Sequence, residues 1–163
     1  RLRPTLRADL LDFVQFLSGT REPANTYRLW RAADIMLDGA STDSFHYVQM
    51  WPVGLGRDAY EAAIADPDSL ADVPEVRRLA RLPRPWADED SPEWESLEYV
   101  AVDVGDQRDD IDGDIRDVVS TERGVQLRMD PDPADLEWRI DNAELRRRYP
   151  RLWVLFGEHF TLG

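Results

Sequence analysis

Apolar residues recur at intervals of three and four along most of this chain, which is the spacing of one face of a helix. The first stretch shows the pattern clearly, with Leu6, Leu10, Val14 and Leu17. Prolines and glycines interrupt the pattern between stretches, where helices end or bend. The pattern predicts six or seven helices, with approximate ranges 6–17, 27–37, 42–51, 58–65, 69–82, 92–104 and 142–148.

One segment departs from this spacing. Residues 118–129 have some strand character around Gly124, so a minor β-hairpin in the C-terminal half stays open beside loop and helix. The length of 163 residues suits one compact domain. We predict a mainly α protein, a single-domain helical bundle over residues 1–163. Its parts are a core at 6–82, an acidic segment at 88–144 and a C-terminal docking helix at 142–157.

Charge is distributed unevenly along the chain. The net charge is −13, but residues 88–144 contain 20 acidic residues and five arginines, which is −15, so the remainder carries +2. Phosphate contacts require clustered positive charge, so we expect no direct binding of nucleic acid or of an anionic membrane. No apolar run reaches the roughly 18 residues of a membrane span, and we expect a soluble protein.

Missing residue types exclude several chemistries. The chain has no cysteine and no lysine, which removes thiolate metal sites, cysteine nucleophiles and Schiff-base chemistry. The acidic run around Asp112 resembles a calcium loop, but Arg108 and Val119 stand where its first and last carboxylates belong. We therefore expect no metal site and no cofactor, and a cytoplasmic location fits the absence of cysteine.

The stretch from residue 29 to 70 carries the most distinctive pattern. It reads LW-x-A-A, then G-x-S-x-D-x-F, then a tryptophan, then GLGR, then A-x-x-DPDSL. This pattern resembles the bacterial family called domain of unknown function 4240, and the closing RRYPRLW is similar to the end of such proteins. The resemblance implies a mainly helical single domain in a bacterium, and it implies no activity.

Three residues in this stretch form the best candidate for catalysis. Asp43 and His46 are three apart on a predicted helix, so their side chains could share a face for acid–base chemistry. Arg57 could hold a carboxylate or a phosphate. Each residue also has an ordinary structural interpretation: Asp43 as a helix cap, His46 as an edge residue, and Arg57 as a salt-bridge partner.

The acidic segment suggests binding instead. Trp86 lies in a proline-rich linker, where it should be partly exposed and could anchor an interface. Exposed carboxylates could steer a basic partner, and the strongest candidates are Asp109, Asp110, Asp112 and Asp114.

Our leading hypothesis is a noncatalytic acidic binding or accessory protein, like an immunity or regulatory protein, that engages a basic protein partner. A mimic of DNA that occupies a nucleic-acid-binding protein fits the same charge. The alternative from another class is a small enzyme or small-molecule binder that uses Asp43, His46 and Arg57 in a helical pocket.

Overall fold

The computed structural model describes residues 7–128, 130–133, 135–137 and 141–161. These residues contain ten α-helices, two 3-10 helices and no strand. The α-helices are α1 (Arg7–Ala24), α2 (Tyr27–Leu37), α3 (Thr42–Val48), α4 (Trp51–Gly54), α5 (Arg57–Ala65), α6 (Pro74–Leu79), α7 (Glu95–Gly105), α8 (Ile115–Arg123), α9 (Asn142–Arg148) and α10 (Pro150–Phe156). The 3-10 helices cover Pro67–Asp72 and Gly157–His159.

Helix α2 lies at the centre of the larger of two cores. Its start is capped by Thr26, whose hydroxyl accepts a hydrogen bond from the amide of Leu29 at 3.1 Å. Asp38 ends the helix in the left-handed conformation, with φ of 58°. The helix packs against α10 and the first 3-10 helix, and its buried apolar residues are Leu29, Ala32, Ala33, Ile35 and Met36.

Helix α10 is attached to this core by a buried carboxylate. Asp68 is 3% exposed and accepts hydrogen bonds from Arg151 Nε at 3.0 Å and from the Leu152 amide at 2.9 Å. Arg151 also pairs with Asp66 and Asp72. This cluster therefore fixes α10 against the first 3-10 helix, which buries Leu152 and Phe156.

The smaller core joins the first helix to the acidic half of the chain. Helices α1, α7 and α8 meet there, and their contact is apolar. Gly105 allows a close approach, because a Cβ at this position would lie 3.2 Å from the Cβ of Ile115. The buried residues of this core are Leu10, Leu11, Val14, Ala101, Ile111, Ile115 and Val119.

The predicted mainly α class is confirmed, but the predicted number of helices is too low. Prolines cause most of the difference, since each begins a separate helix where the pattern suggested a continuous one. Pro52 lies in the first turn of α4, Pro74 begins α6 and Pro150 begins α10.

The predicted β-hairpin at residues 118–129 is wrong. Its first half, residues 118–123, belongs to α8. This helix begins after Asp114, whose carboxylate accepts a hydrogen bond from the amide of Arg116 at 2.8 Å. Gly124 ends α8 with φ of 66°. Residues 125–128 form no strand, and Met129 lies outside the described residues.

Two predicted helix boundaries are also wrong. Helix α1 continues five residues past Gly19 to Ala24, and in this last part Arg21 pairs with Glu98 and Ala24 is buried. Helix α7 begins at Glu95 and not at Pro92. Ser91, which precedes Pro92 and would cap a helix that began there, lies four residues before α7, and its hydroxyl donates to Glu93 at 2.7 Å.

Candidate functional site

The three residues predicted as a catalytic cluster do not form one site. Asp43 is exposed in the first turn of α3, whereas His46 is only 5% exposed and faces Glu98 of α7. Arg57 is exposed at the start of α5, where its Nε donates to Glu61 at 2.7 Å. Asp43 and His46 line different cavities, and Arg57 lines neither.

Asp43 belongs to a groove of about 380 Å³ between α3, the loop after α6 and the start of α7. Carboxylates from all three segments line it, and we call it the acidic groove. Its charged residues are Asp43, Arg84, Asp88, Glu93 and Glu95. Four negative charges therefore face one positive charge.

The single cation of the acidic groove is already engaged. The Arg84 guanidinium lies 4.2 Å from the centroid of the Trp86 ring and donates a hydrogen bond to the carbonyl of Met36. Burial lowers the pKa of Arg84. Within the described residues, the four carboxylates of the groove form no ion pair.

Tyr47 lines the acidic groove beside Asp43 and Glu95. Its hydroxyl lies 3.5 Å from that of Tyr99. The hydrogen bond with Tyr99, together with burial, raises the pKa of Tyr47, and the charges of Glu95 and Asp43 raise it further. Since the carboxylates disfavour a second negative charge here, they favour a cation in the same place.

Trp86 forms the aromatic wall of the acidic groove. The ring is half-buried and packs edge-on against Phe156, with centroids 6.1 Å apart. Its Nε1 is buried and has no hydrogen-bond partner among the described residues. Trp86 is therefore attached to the larger core on one side and borders the groove on the other.

The four predicted partner-binding aspartates lie in and beside the loop between α7 and α8. Asp110 accepts from Arg108 Nε at 2.7 Å, and this hydrogen bond lowers the pKa of Asp110. Asp114 caps α8 and binds Arg116, which lowers the pKa of Asp114. Asp109 and Asp112 are exposed. Two of the four carboxylates thus have intramolecular arginine partners.

His46 lines a second, smaller cavity between α1, α3 and α7, which we call the Arg21–Glu98 cavity. Glu98 pairs with Arg21, and His46 Nε2 lies 3.4 Å from Glu98 Oε2 without hydrogen-bond geometry. Burial opposes the ionisation of Glu98, but His46 and Arg21 outweigh it and lower its pKa to about 2. Gln49, 1% exposed, completes the polar side of the cavity.

Sequence reasoning identified Asp43 and Trp86 but missed most of the residues around them. The missed groove residues are Tyr47, Asp88, Glu93 and Glu95, and the missed cavity residues are Arg21, Gln49 and Glu98. Glu95 and Glu98 are three apart at the start of α7, yet they line different sites, so their spacing alone does not assign them. No sequence signal pointed to Arg21, since it lies beyond residue 17, where the predicted first helix ends.

The described part of the chain contains no group of three or more potential metal ligands. None of its helices combines the length and apolar composition that crossing a membrane requires. In these residues the fold is all-α, and the acidic groove and the Arg21–Glu98 cavity are the two sites at which the predicted residues lie.

The chain belongs to the family described as Protein of unknown function (DUF4240), whose model matches residues 1–106. The match includes α1 to α7 and both helices that border the acidic groove. No curated protein matches the chain. No solved structure matches it either.

Proposed function

We propose that this protein is a noncatalytic accessory protein of the bacterial cytoplasm that binds a basic segment of a partner protein in the acidic groove. One observation carries the proposal. Among the described residues, four carboxylates that form no ion pair surround a groove of about 380 Å³, and the one cation lining it is stacked on Trp86. Such a volume is within the range of sites that hold small ligands or single side chains.

The groove favours arginine as the inserted side chain. A guanidinium can bind a carboxylate through two parallel hydrogen bonds and can stack on an aromatic ring. Carboxylates and the ring of Tyr47 lie together in the groove, whereas Trp86 already carries Arg84. The same carboxylates would repel a negatively charged phosphate group. The groove therefore favours a protein partner over a nucleic acid.

The acidic loop between α7 and α8 supports the same function less strongly than the groove does. Asp109 and Asp112 are exposed and add to the negative field, but Asp110 and Asp114 already bind arginines. We assign these four aspartates to steering of the partner and assign the groove to its specific contact. The enzyme alternative loses its support, because Asp43, His46 and Arg57 lie apart.

A pair of charge-matched double variants tests the proposal. Asp43→Asn with Glu95→Gln removes two carboxylates from the groove, and both residues are exposed in the first turn of a helix. Asp58→Asn with Glu75→Gln removes two exposed first-turn carboxylates outside the groove. Fluorescence anisotropy of a labelled arginine-rich peptide measures binding to each variant at the same net charge.

We expect the groove variant to bind roughly fivefold more weakly than its control, since two exposed ion pairs contribute about 0.5 kcal/mol each. Raising the salt concentration from about 0.05 M to about 0.5 M shortens the screening length to about 4 Å and should weaken binding by the parent chain. Equal loss in both variants, or binding that is indifferent to salt, would contradict the proposal.

A further inference from the structure

The ring of Trp86 already carries a guanidinium in the acidic groove. Arg84 lies 4.2 Å from the centroid of that ring and donates to the carbonyl of Met36 in the last turn of α2. Arg84 and Trp86 both line the groove together with its four carboxylates. An arginine of a partner would find the same kind of contact on this ring, because guanidinium groups stack on aromatic faces. Arg84 therefore occupies a place that the proposed ligand could use.

The carboxylates of the groove do not hold Arg84. Among the described residues, Arg84 forms no ion pair with any of the four. An arginine that neutralised the groove would pair with at least one of them, since guanidinium and carboxylate groups fit each other through two parallel hydrogen bonds. The aromatic wall is thus in use, whereas the carboxylates remain open to a second guanidinium.

Few contacts hold Arg84 in its place. A guanidinium has five N–H groups, and within the described residues only one of those of Arg84 donates a hydrogen bond, to Met36. Burial lowers the pKa of Arg84, and the charge of Asp38 opposes this effect. A partner's guanidinium that reached both the ring and a carboxylate would have stronger contacts than Arg84 has, because hydrogen bonds between charged groups are the stronger ones.

We propose that Arg84 is an internal competitor of the partner: it covers the ring of Trp86 in the free protein, and a bound guanidinium takes that place and displaces it. This inference rests on the function proposed for the groove and adds how binding there is limited. Only molecules with an uncovered ring can bind the partner fully, so the resting contact lowers the apparent affinity. In the structural alternative, Arg84 supports the ring and the end of α2, and it stays in place when the partner binds.

Arg84→Gln tests the competition by fluorescence anisotropy of a labelled arginine-rich peptide. We expect the variant to bind roughly two- to fivefold more tightly than the parent chain, which is the size of one exposed cation–π contact. Arg81→Gln is the matched control, since Arg81 is exposed, lies three residues earlier and does not line the groove. Both variants have the same net charge, so equal binding by the two, or weaker binding by a folded Arg84→Gln protein, would overturn the proposal.

A lysine-rich peptide of the same length and charge separates competition for the ring from simple repulsion. A guanidinium stacks on an aromatic face through its planar group, whereas an ammonium is a compact and strongly hydrated charge. The gain in affinity from Arg84→Gln should therefore be larger for the arginine-rich peptide. A gain of equal size for both peptides would mean that only a repelling charge was removed, and it would contradict competition for the ring.

Side-chain NMR signals of the intact parent chain test the displacement without a variant. The ring of Trp86 shifts the signals of Arg84 in the free protein, and a saturating arginine-rich peptide should return them towards those of an exposed arginine. Backbone signals of Ser44 and Tyr47 report occupancy of the groove. If these signals saturate while those of Arg84 stay unchanged, the competitor role is wrong and the function proposed for the groove stands. If they respond in neither the parent chain nor Arg84→Gln, the groove is not the partner site and both proposals fail.

Discussion

The acidic groove and the Arg21–Glu98 cavity lie on different sides of α3 and α7, and the two sites differ in their balance of charges. Helix α3 places Asp43 and Tyr47 at the groove but His46 at the cavity. Helix α7 places Glu95 at the groove and Glu98, one turn later, at the cavity. The groove has an excess of negative charge, whereas the cavity is balanced.

Burial explains this difference. Glu98 retains 11% exposure of its side chain, so its charge requires partners, and it has Arg21 and His46. Glu95 is exposed, and water can solvate its charge without a protein partner. The comparison indicates that carboxylates of the groove remain available for an external cation, whereas that of Glu98 stabilises the fold.

Glu98→Gln should show the largest effect on stability. The variant removes the negative charge beside the partly buried Arg21, and leaving a charged hydrogen-bonding group without its partner costs about 1–3 kcal/mol. Glu95→Gln makes the same chemical change one turn earlier on an exposed position and should change stability by less than about 0.5 kcal/mol. Urea unfolding measures both, and similar values for the two variants would contradict the comparison.

The pH dependence of stability is a second test of the difference between Glu98 and the exposed carboxylates. The pKa of Glu98 is about 2 in the folded chain and 4.5 for an ordinary glutamate, so the unfolded chain takes up its proton first as the pH falls. This stabilisation is complete above about pH 5 and decreases towards pH 2. Between pH 6 and pH 3 the loss is about 2 kcal/mol.

Comparing the parent chain with the Glu98→Gln variant isolates the contribution of Glu98 to the pH dependence of stability. Other acidic residues titrate in both the parent chain and Glu98→Gln, so we expect the parent chain to lose more stability between pH 6 and pH 3. Parallel pH profiles of unfolding free energy would mean that the pKa of Glu98 is not lowered.

Trp86→Phe should destabilise the chain less than the same substitution at Trp30. Its Nε1 has no hydrogen-bond partner among the described residues, so the substitution removes an unsatisfied donor and keeps an aromatic ring against Phe156. Trp30→Phe is the control, because Trp30 Nε1 donates to the carbonyl of Ala40 at 2.9 Å. We expect thermal unfolding to show that Trp86→Phe costs about 1 kcal/mol less than Trp30→Phe. The reverse order would mean that Trp86 Nε1 has a partner in solution.

Helix periodicity was sufficient to predict the class and most helix positions. The range predicted for α2, 27–37, agrees with the structure, because its cap, its apolar face and its end are all local features. The hairpin failed for the opposite reason. Val118 and Val119 favour a strand locally, but Ile115 and Val119 lie one helical turn apart and pack with α1 and α7.

The sites were harder to predict than the helices, because their residues are distant in sequence. Arg21 and Glu98 are 77 positions apart, and no spacing rule relates them. Asp43 and His46 are close in sequence, yet a separation of three leaves about 60° between them around the helix axis. That angle directs one residue to solvent and the other to α7.

Mapping the surface that contacts an arginine-rich peptide tests the central claim most directly. In ¹⁵N spectra of the intact chain, we predict saturable shifts at Ser44, Tyr47 and Glu95 of the groove, with smaller shifts at Asp109 and Asp112. Shifts confined to the loop around Asp109 and Asp112, with the groove signals unchanged, would contradict the assignment of the acidic groove as the partner site.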